Sequence, residues 1–240
     1  MAARPFFIDA CVEEEDLLAM EKMVKQEFKS LVRKAGIRMV DSGLTVCTWG
    51  NVSYCDRDAG LVYITPSGMD YHELVNDDIC VYSLDGTHVG GTRRPSIELQ
   101  MHLGCYNSRP EVSAVVHTHP IYTTVFSSVG EDIPIDIHDE AAQALGDAIR
   151  CAKYELPGTK SLADAVVCAL GKTANAAMMR NHGLVCIGQS MDDAFKVATV
   201  AEMVAEIYWK IRAMGGSYIP ISHENVIAMQ EFVKTGYGQY

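Results

Sequence analysis

The 240-residue sequence has no apolar run long enough to span a bilayer, so no membrane helix is expected. It opens without a basic region leading into an apolar stretch, and no secretion signal is expected. Its eight cysteines, at positions 11, 47, 55, 80, 105, 151, 168 and 186, are scattered, and no two stand at C-x-x-C spacing. Several lie in apolar runs, where a free thiol acts as a small hydrophobe, so the pattern fits a reduced, cytoplasmic setting better than a disulfide framework. Basic charge is scarce: 20 Lys and Arg face 31 Asp and Glu, and nothing clusters beyond Arg93-Arg94. A net charge of -11 argues against a nucleic-acid partner. Internal repeats and low-complexity linkers are missing too. What remains is 48% hydrophobic, enough to fill the core of one domain spanning residues 1–240.

Apolar residues at three- and four-residue steps, from Leu17 to Val32, predict one helix over residues 12–35, with Gly36 as its stop. Strands are expected at 52–54, 61–65 and 79–83, with a tight turn at Asp85-Gly86 and a return beginning at Val89. Ser96 reads as the cap of a helix starting near Ile97. A strand over 112–117, helices over 122–127, 140–148 and 162–170, and strands at 177–180 and 184–187 follow. A long helix over 191–214 closes at Gly215-Gly216, and the tail beyond it reads as irregular. This order lacks the strand–helix alternation of a Rossmann or barrel domain, and a mostly antiparallel sheet with helices against its faces fits it.

His117-Thr118-His119 continues the strand Ala114-Val115-Val116. In an extended chain, residues two apart point to one side, so both imidazoles can meet one ion. On spacing alone the pair reads equally as a surface or hydrogen-bonded feature. His182, before Gly183, and Glu98, after Pro95-Ser96, are weaker signals still. Gly50, Asn51, Ser67, Gly68 and Ser96 carry the short hydroxyls, amide and open backbone an anionic oxygen needs, though on composition they are plain turn residues.

Gly50-Asn51-Val52-Ser53, Thr65-Pro66-Ser67-Gly68, Arg94-Pro95-Ser96-x-Glu98, His117-Thr118-His119-Pro120, Tyr154-x-x-x-Gly158-Thr159 and Asn181-His182-Gly183 occur in that order. Each is weak alone, but the ordered set, over roughly residues 15 to 215, resembles the class II aldolase/adducin family, particularly its fuculose-phosphate aldolase branch. The resemblance implies an α/β fold, a three-layer α/β/α sandwich around a mostly antiparallel sheet, assembled as a homotetramer with active sites at subunit interfaces. It implies one divalent metal per subunit, usually zinc, with manganese or cobalt also suited to imidazole-plus-carboxylate ligation. By motif position His117, His119, His182 and Glu98 are the metal ligands, Glu98 doubles as acid/base, and Tyr154 is a catalytic tyrosine donated by a neighbouring subunit. Gly50, Asn51, Ser67, Gly68 and Ser96 map onto the phosphate pocket of a small sugar-phosphate substrate.

The implied reaction is reversible cleavage of a ketose 1-phosphate, or a similar hydroxy-ketone, to dihydroxyacetone phosphate and an aldehyde through an enediolate, without a Schiff base. Epimerases and decarboxylases share the scaffold and form the alternative. Three retained histidines argue against a non-catalytic, adducin-like interaction protein. One departure stands out: the branch carries two serines before its acidic ligand, and here the second is Ile97, which cannot donate to a phosphate oxygen. Asp136-x-His138-Asp139-Glu140 reads first as a solvated helix start and second as a substrate-side group, and Tyr237 and Tyr240 are candidates for a closing tail.

Overall fold

The computed structural model describes residues 14–235. The N-terminal apolar pattern yields two helices, α1 (Glu14–Glu21) and α2 (Gln26–Asp41), rather than one. Tertiary partners make the break. The Lys25 backbone N–H donates to the Tyr63 hydroxyl at 2.9 Å, and the Lys25 ammonium meets buried Asp56 at 2.7 Å. Gly36 does not stop α2; it lies within it, buried, because a Cβ there would come within 2.4 Å of the Tyr71 ring. The helix ends five residues later, before Ser42 and a left-handed Gly43.

Eight strands form one mixed sheet: β1 (Asn51–Asp56), β2 (Leu61–Ile64), β3 (Cys80–Ser83), β4 (His88–Gly90), β5 (Ala114–Thr118), β6 (Arg150–Ala152), β7 (Ala176–Met179) and β8 (Gly183–Gly188). Their order is β4-β3-β2-β1-β5-β8-β7-β6, and every pair is antiparallel except β6 with β7. Alternation sorts the side chains into two cores. Val52, Val116, Met178 and Leu184 face one, with α2, α4 (Ile121–Val129), α5 (Asp139–Ala144), α7 (Met191–Ala213) and α8 (His223–Thr235) packed on that side. Cys55, Val115, Met179 and Val185 face the other, beneath α3 (Leu99–Ser108) and α6 (Lys160–Leu170). The protein is therefore of the α/β class, with helices covering both faces of a mostly antiparallel sheet.

Two elements depart from the sequence reading. The tail forms α8, and residues 150–152 form the parallel edge strand β6. Ser96 does not cap a helix at Ile97: α3 begins at Leu99 with Glu98 as its N-cap, and the Ser96 hydroxyl accepts the Glu98 N–H at 3.2 Å. No described helix is long and apolar enough to cross a membrane, and the seven described cysteines are free.

Gly36→Ala should destabilise the fold. The gain in helix propensity is at most about 1 kcal/mol. Forcing a methyl against the buried Tyr71 ring costs about 1–3 kcal/mol. The expected outcome is a lower urea midpoint with an unchanged slope; a higher midpoint would show that the ring moves freely.

Candidate metal centre

Strand register builds the centre. Asn51 lies directly opposite His117 in the β1–β5 pair, and Val185 lies opposite His117 in the β5–β8 pair. His117 and His119, two apart, both point to the α3 side of the sheet, as the alternation requires. His182 stands in the β7–β8 turn, after Asn181 in a left-handed conformation (φ 55°). Gly183 has to be glycine, because a Cβ there would lie 2.5 Å from the Thr118 carbonyl and 3.0 Å from the His119 ring. The three imidazole centroids end up 4.7 to 5.1 Å apart, with one ligand nitrogen from each within 4.8 Å of the others.

Glu98 enters from the start of α3, 4% exposed. Its Oε2 lies 3.1 Å from His117 Nε2, and its Oε1 lies 3.2 Å from His182 Nε2. His117 Nδ1 donates to the Leu184 carbonyl at 2.9 Å, which fixes the tautomer and leaves Nε2 with a lone pair. That lone pair faces both Glu98 Oε2 and His119 Nε2, the latter at 3.0 Å. A proton on His119 Nε2 satisfies one of these contacts and leaves the other repulsive. Glu98 Oε1 and His182 Nδ1 make no hydrogen bond of good geometry. Burying an ionised carboxylate among neutral rings is costly unless a cation joins them. Three neutral imidazoles and one carboxylate are the donor set of a zinc-type site with an exchangeable position, so these residues fit a divalent ion.

The other expected residues divide. Ser67 and Ser96 come together, since the Ser67 N–H donates to Arg94 O and the Ser96 N–H to Thr65 O, across a Pro66–Pro95 bridge. Gly68 lies exposed beside them at φ 70°, and left-handed Gly50 packs under the His117 carbonyl, 2.6 Å from where its Cβ would be. The Asn51 side chain is directed at the carboxylate, its Nδ2 donating to Glu98 Oε2 at 2.8 Å. Tyr154 is 53% exposed in the β6–α6 connection and is not among the groups gathered at the histidines. Ile97 is 63% exposed, and its carbonyl lies 3.1 Å from where a Gly158 Cβ would sit. The acidic stretch serves local structure: Asp136 accepts from Tyr218, His138 pairs with Glu140, and α5 begins at Asp139. Tyr237 and Tyr240 lie outside the described residues.

Sequence reasoning missed two supports. Glu202, on α7, accepts from the Tyr122 and Thr123 N–H groups at 2.7 and 2.9 Å, capping α4 just after His119-Pro120. Trp49 lies parallel to His119, with centroids 6.4 Å apart. Neither carries a local signal, because each acts on residues about 70 or more positions away.

The model of the family described as Class II Aldolase and Adducin N-terminal domain matches residues 30–209. The chain belongs to that family of class II aldolases and adducin-type domains. It is 37% identical to a 5-deoxy-D-ribulose 1-phosphate aldolase of Bacillus thuringiensis serovar kurstaki, over 90% of this chain and all of that protein. It is 33% identical to an L-ribulose-5-phosphate 4-epimerase of Salmonella paratyphi B, over 82% of this chain and 90% of the relative. A solved L-fuculose 1-phosphate aldolase superposes with a TM-score of 0.83 at 34% identity, covering 88% of this chain and 98% of that one.

Burial pushes His117, His119 and His182 down to about 4, from an ordinary value of 6.5. Below pH 6.5 the unfolded chain therefore takes up protons that the folded chain refuses, and this part of the stability is lost as pH falls toward 4. Above pH 6.5 the rings are neutral in both states and the contribution is flat. Urea midpoints of the metal-free chain should fall from pH 7 to pH 5, above the range in which surface carboxylates titrate. Constant midpoints across that interval would contradict the depressed values.

Proposed function

We propose that the protein is a metal-dependent aldolase that reversibly cleaves a ketose 1-phosphate to dihydroxyacetone phosphate and an aldehyde, with His117, His119, His182 and Glu98 as ligands of one zinc ion. The observation that carries this is Glu98 Oε1, buried, unpartnered and aimed among three neutral imidazoles. The aldolase names of two relatives support the lyase chemistry, and the epimerase-named relative keeps the alternative reading alive. Residues 1–240 are read as one cytoplasmic domain of this fold.

A divalent ion held there supplies Lewis-acid polarisation of a ketone. The chain's own groups do the rest. His117 is held by Leu184 O and cannot turn away. Glu98 keeps Oε2 on the Asn51 amide while Oε1 is free to take or return a proton at the hydroxyl or carbon beside the ketone. Ser67, Ser96, Gly50, Asn51 and Gly68 are read as the phosphate-binding residues, with the Asn51 amide also donating to Glu98. Tyr154 of the partner subunit donates a proton to the aldehyde-derived oxygen. A homotetramer is supported by what the surface exposes: Ile121, Val125 and Val129 form an apolar stripe along α4 that begins two residues after His119. Tyr154 and Leu156 are exposed as well, so the tyrosine is available to another copy.

A panel of ketose 1-phosphates and their unphosphorylated forms, with mass detection, tests the reading. Dihydroxyacetone phosphate plus an aldehyde, formed with zinc and abolished by a chelator, is the expected outcome. Conversion with no carbon–carbon cleavage would move the protein to the epimerase class, and released carbon dioxide to the decarboxylases. Tyr154→Phe should retain zinc while cleavage slows by about 10²–10⁴-fold, the usual worth of a general acid. A wild-type rate would remove Tyr154 from the reaction.

A further inference from the structure

Behind Glu98 lies a line of buried polar groups that the proposed reaction does not use. Glu98, His102 and Tyr106 follow at i, i+4 and i+8 and so share one face of α3. Asn51 and Ser53, two apart on β1, face them from the sheet. The two sets interleave. Asn51 Nδ2 reaches Glu98 Oε2 at 2.8 Å, and Asn51 Oδ1 lies 2.5 Å from His102 Nε2. His102 Nδ1 lies 2.6 Å from the Ser53 hydroxyl, which lies 2.7 Å from the Tyr106 hydroxyl. His102, Ser53 and Tyr106 are fully buried, and Asn51 is 5% exposed.

Only one assignment of protons satisfies this line. A carboxylate oxygen accepts, so the Asn51 amide must present its N–H groups to Glu98. Its oxygen then faces His102, whose Nε2 must carry the hydrogen. A buried, neutral His102 has no second hydrogen, so Nδ1 accepts from Ser53, which accepts in turn from Tyr106. Every donor along the line points toward Glu98. The His102 N–H is what forbids the Asn51 amide from turning over, because the reversed amide would set N–H against N–H at one end and oxygen against carboxylate at the other. The carboxylate is thereby held by Oε2, and Oε1, 3.2 Å from His182 Nε2, is the oxygen left without a hydrogen bond.

We propose that His102 is a positioning residue of the metal centre, fixing through Asn51 the rotamer of Glu98 and the choice of Oε1 as its reactive oxygen. The inference rests on reading Glu98 and the three histidines as an ion site. A packing role alone needs no polar side chains here, since an apolar fill of the same volume is often at least as stable. A positioning role needs each of them.

Nitrogen-15 NMR of the full chain, metal-free and zinc-loaded, reads the tautomer directly. His102 should carry its hydrogen on Nε2 in both states, and a hydrogen on Nδ1 overturns the proposal. Zinc release to a chelator is then compared for wild type, His102→Leu and His102→Gln, beside their thermal midpoints. His102→Leu should release zinc roughly 10–100-fold faster, the usual cost of losing a partner that orients a ligand. His102→Gln, whose amide N–H reaches the same Asn51 oxygen, should stay near wild type. Unchanged release in the leucine variant, or equal loss in both, overturns the assignment. If neither folds, the wild-type tautomer decides alone. A wild-type chain that takes up no zinc fails the metal reading itself, which separates the two claims.

Discussion

The centre depends on a conflict: the buried carboxylate of Glu98 faces the bare nitrogen of an imidazole whose hydrogen sits on its other nitrogen. The Leu184 carbonyl takes the His117 Nδ1 hydrogen, so Nε2 turns a lone pair toward Glu98 Oε2 at 3.1 Å. Two acceptors at that distance repel in a low-dielectric interior. The neighbouring strands hold them there regardless. His117 is paired on both sides, to Asn51 and to Val185, and α3 is anchored over the same face. Folding free energy from the two cores thus maintains a site that is locally unfavourable until a cation enters it. Such opposition between local and global preference marks functional positions.

The same register explains how much of the centre could be read from the chain. The pairing of His117 with His119 was legible because strand periodicity is strict; one residue of slip would have sent both rings to the opposite core. The place of His182 was not legible from spacing. It depends on a turn in which Asn181 takes a positive φ and Gly183 leaves room for the His119 ring. The ordered motifs supplied it by resemblance, and the structure places its ring 4.9 Å from that of His117. The same motifs imply Asn51 for a phosphate pocket; in the structure its side-chain amide donates to Glu98 Oε2. Motif position does not say which atom a side chain touches.

The fold was legible where periodicity is long and unopposed, as in α7 and the central strands. It failed where distant partners decide. The break between α1 and α2 falls at Lys25 because Tyr63 and Asp56, from two different strands, capture its N–H and its ammonium. An apolar pattern cannot register that. Gly36 misled for the opposite reason: glycine usually ends a helix, but here it is kept for close approach to Tyr71. The three-residue β6 is too short to carry a period, and its parallel pairing with β7 brings together segments more than twenty residues apart. Nothing local marks His102 and Tyr106, whose partners on β1 lie about fifty positions away.

Ile97 shows how finely the two ends of the site can be separated. By resemblance to the aldolase branch, a serine at this position would bring a hydroxyl to a phosphate, and an isoleucine brings none. The Ile97 side chain is mostly exposed and its carbonyl packs against Gly158, while on either side Ser96 and Glu98 are buried and bonded to each other. Glu98 takes its orientation from Asn51, not from residue 97. The isoleucine side chain therefore does not reach the centre. The histidines and Glu98 are held by β5, the β7–β8 turn and the start of α3, whereas the turns at residues 66–68 and 95–97 are tied to each other by the Pro66–Pro95 bridge. A change of side chain at residue 97 can then leave the orientation of Glu98 untouched.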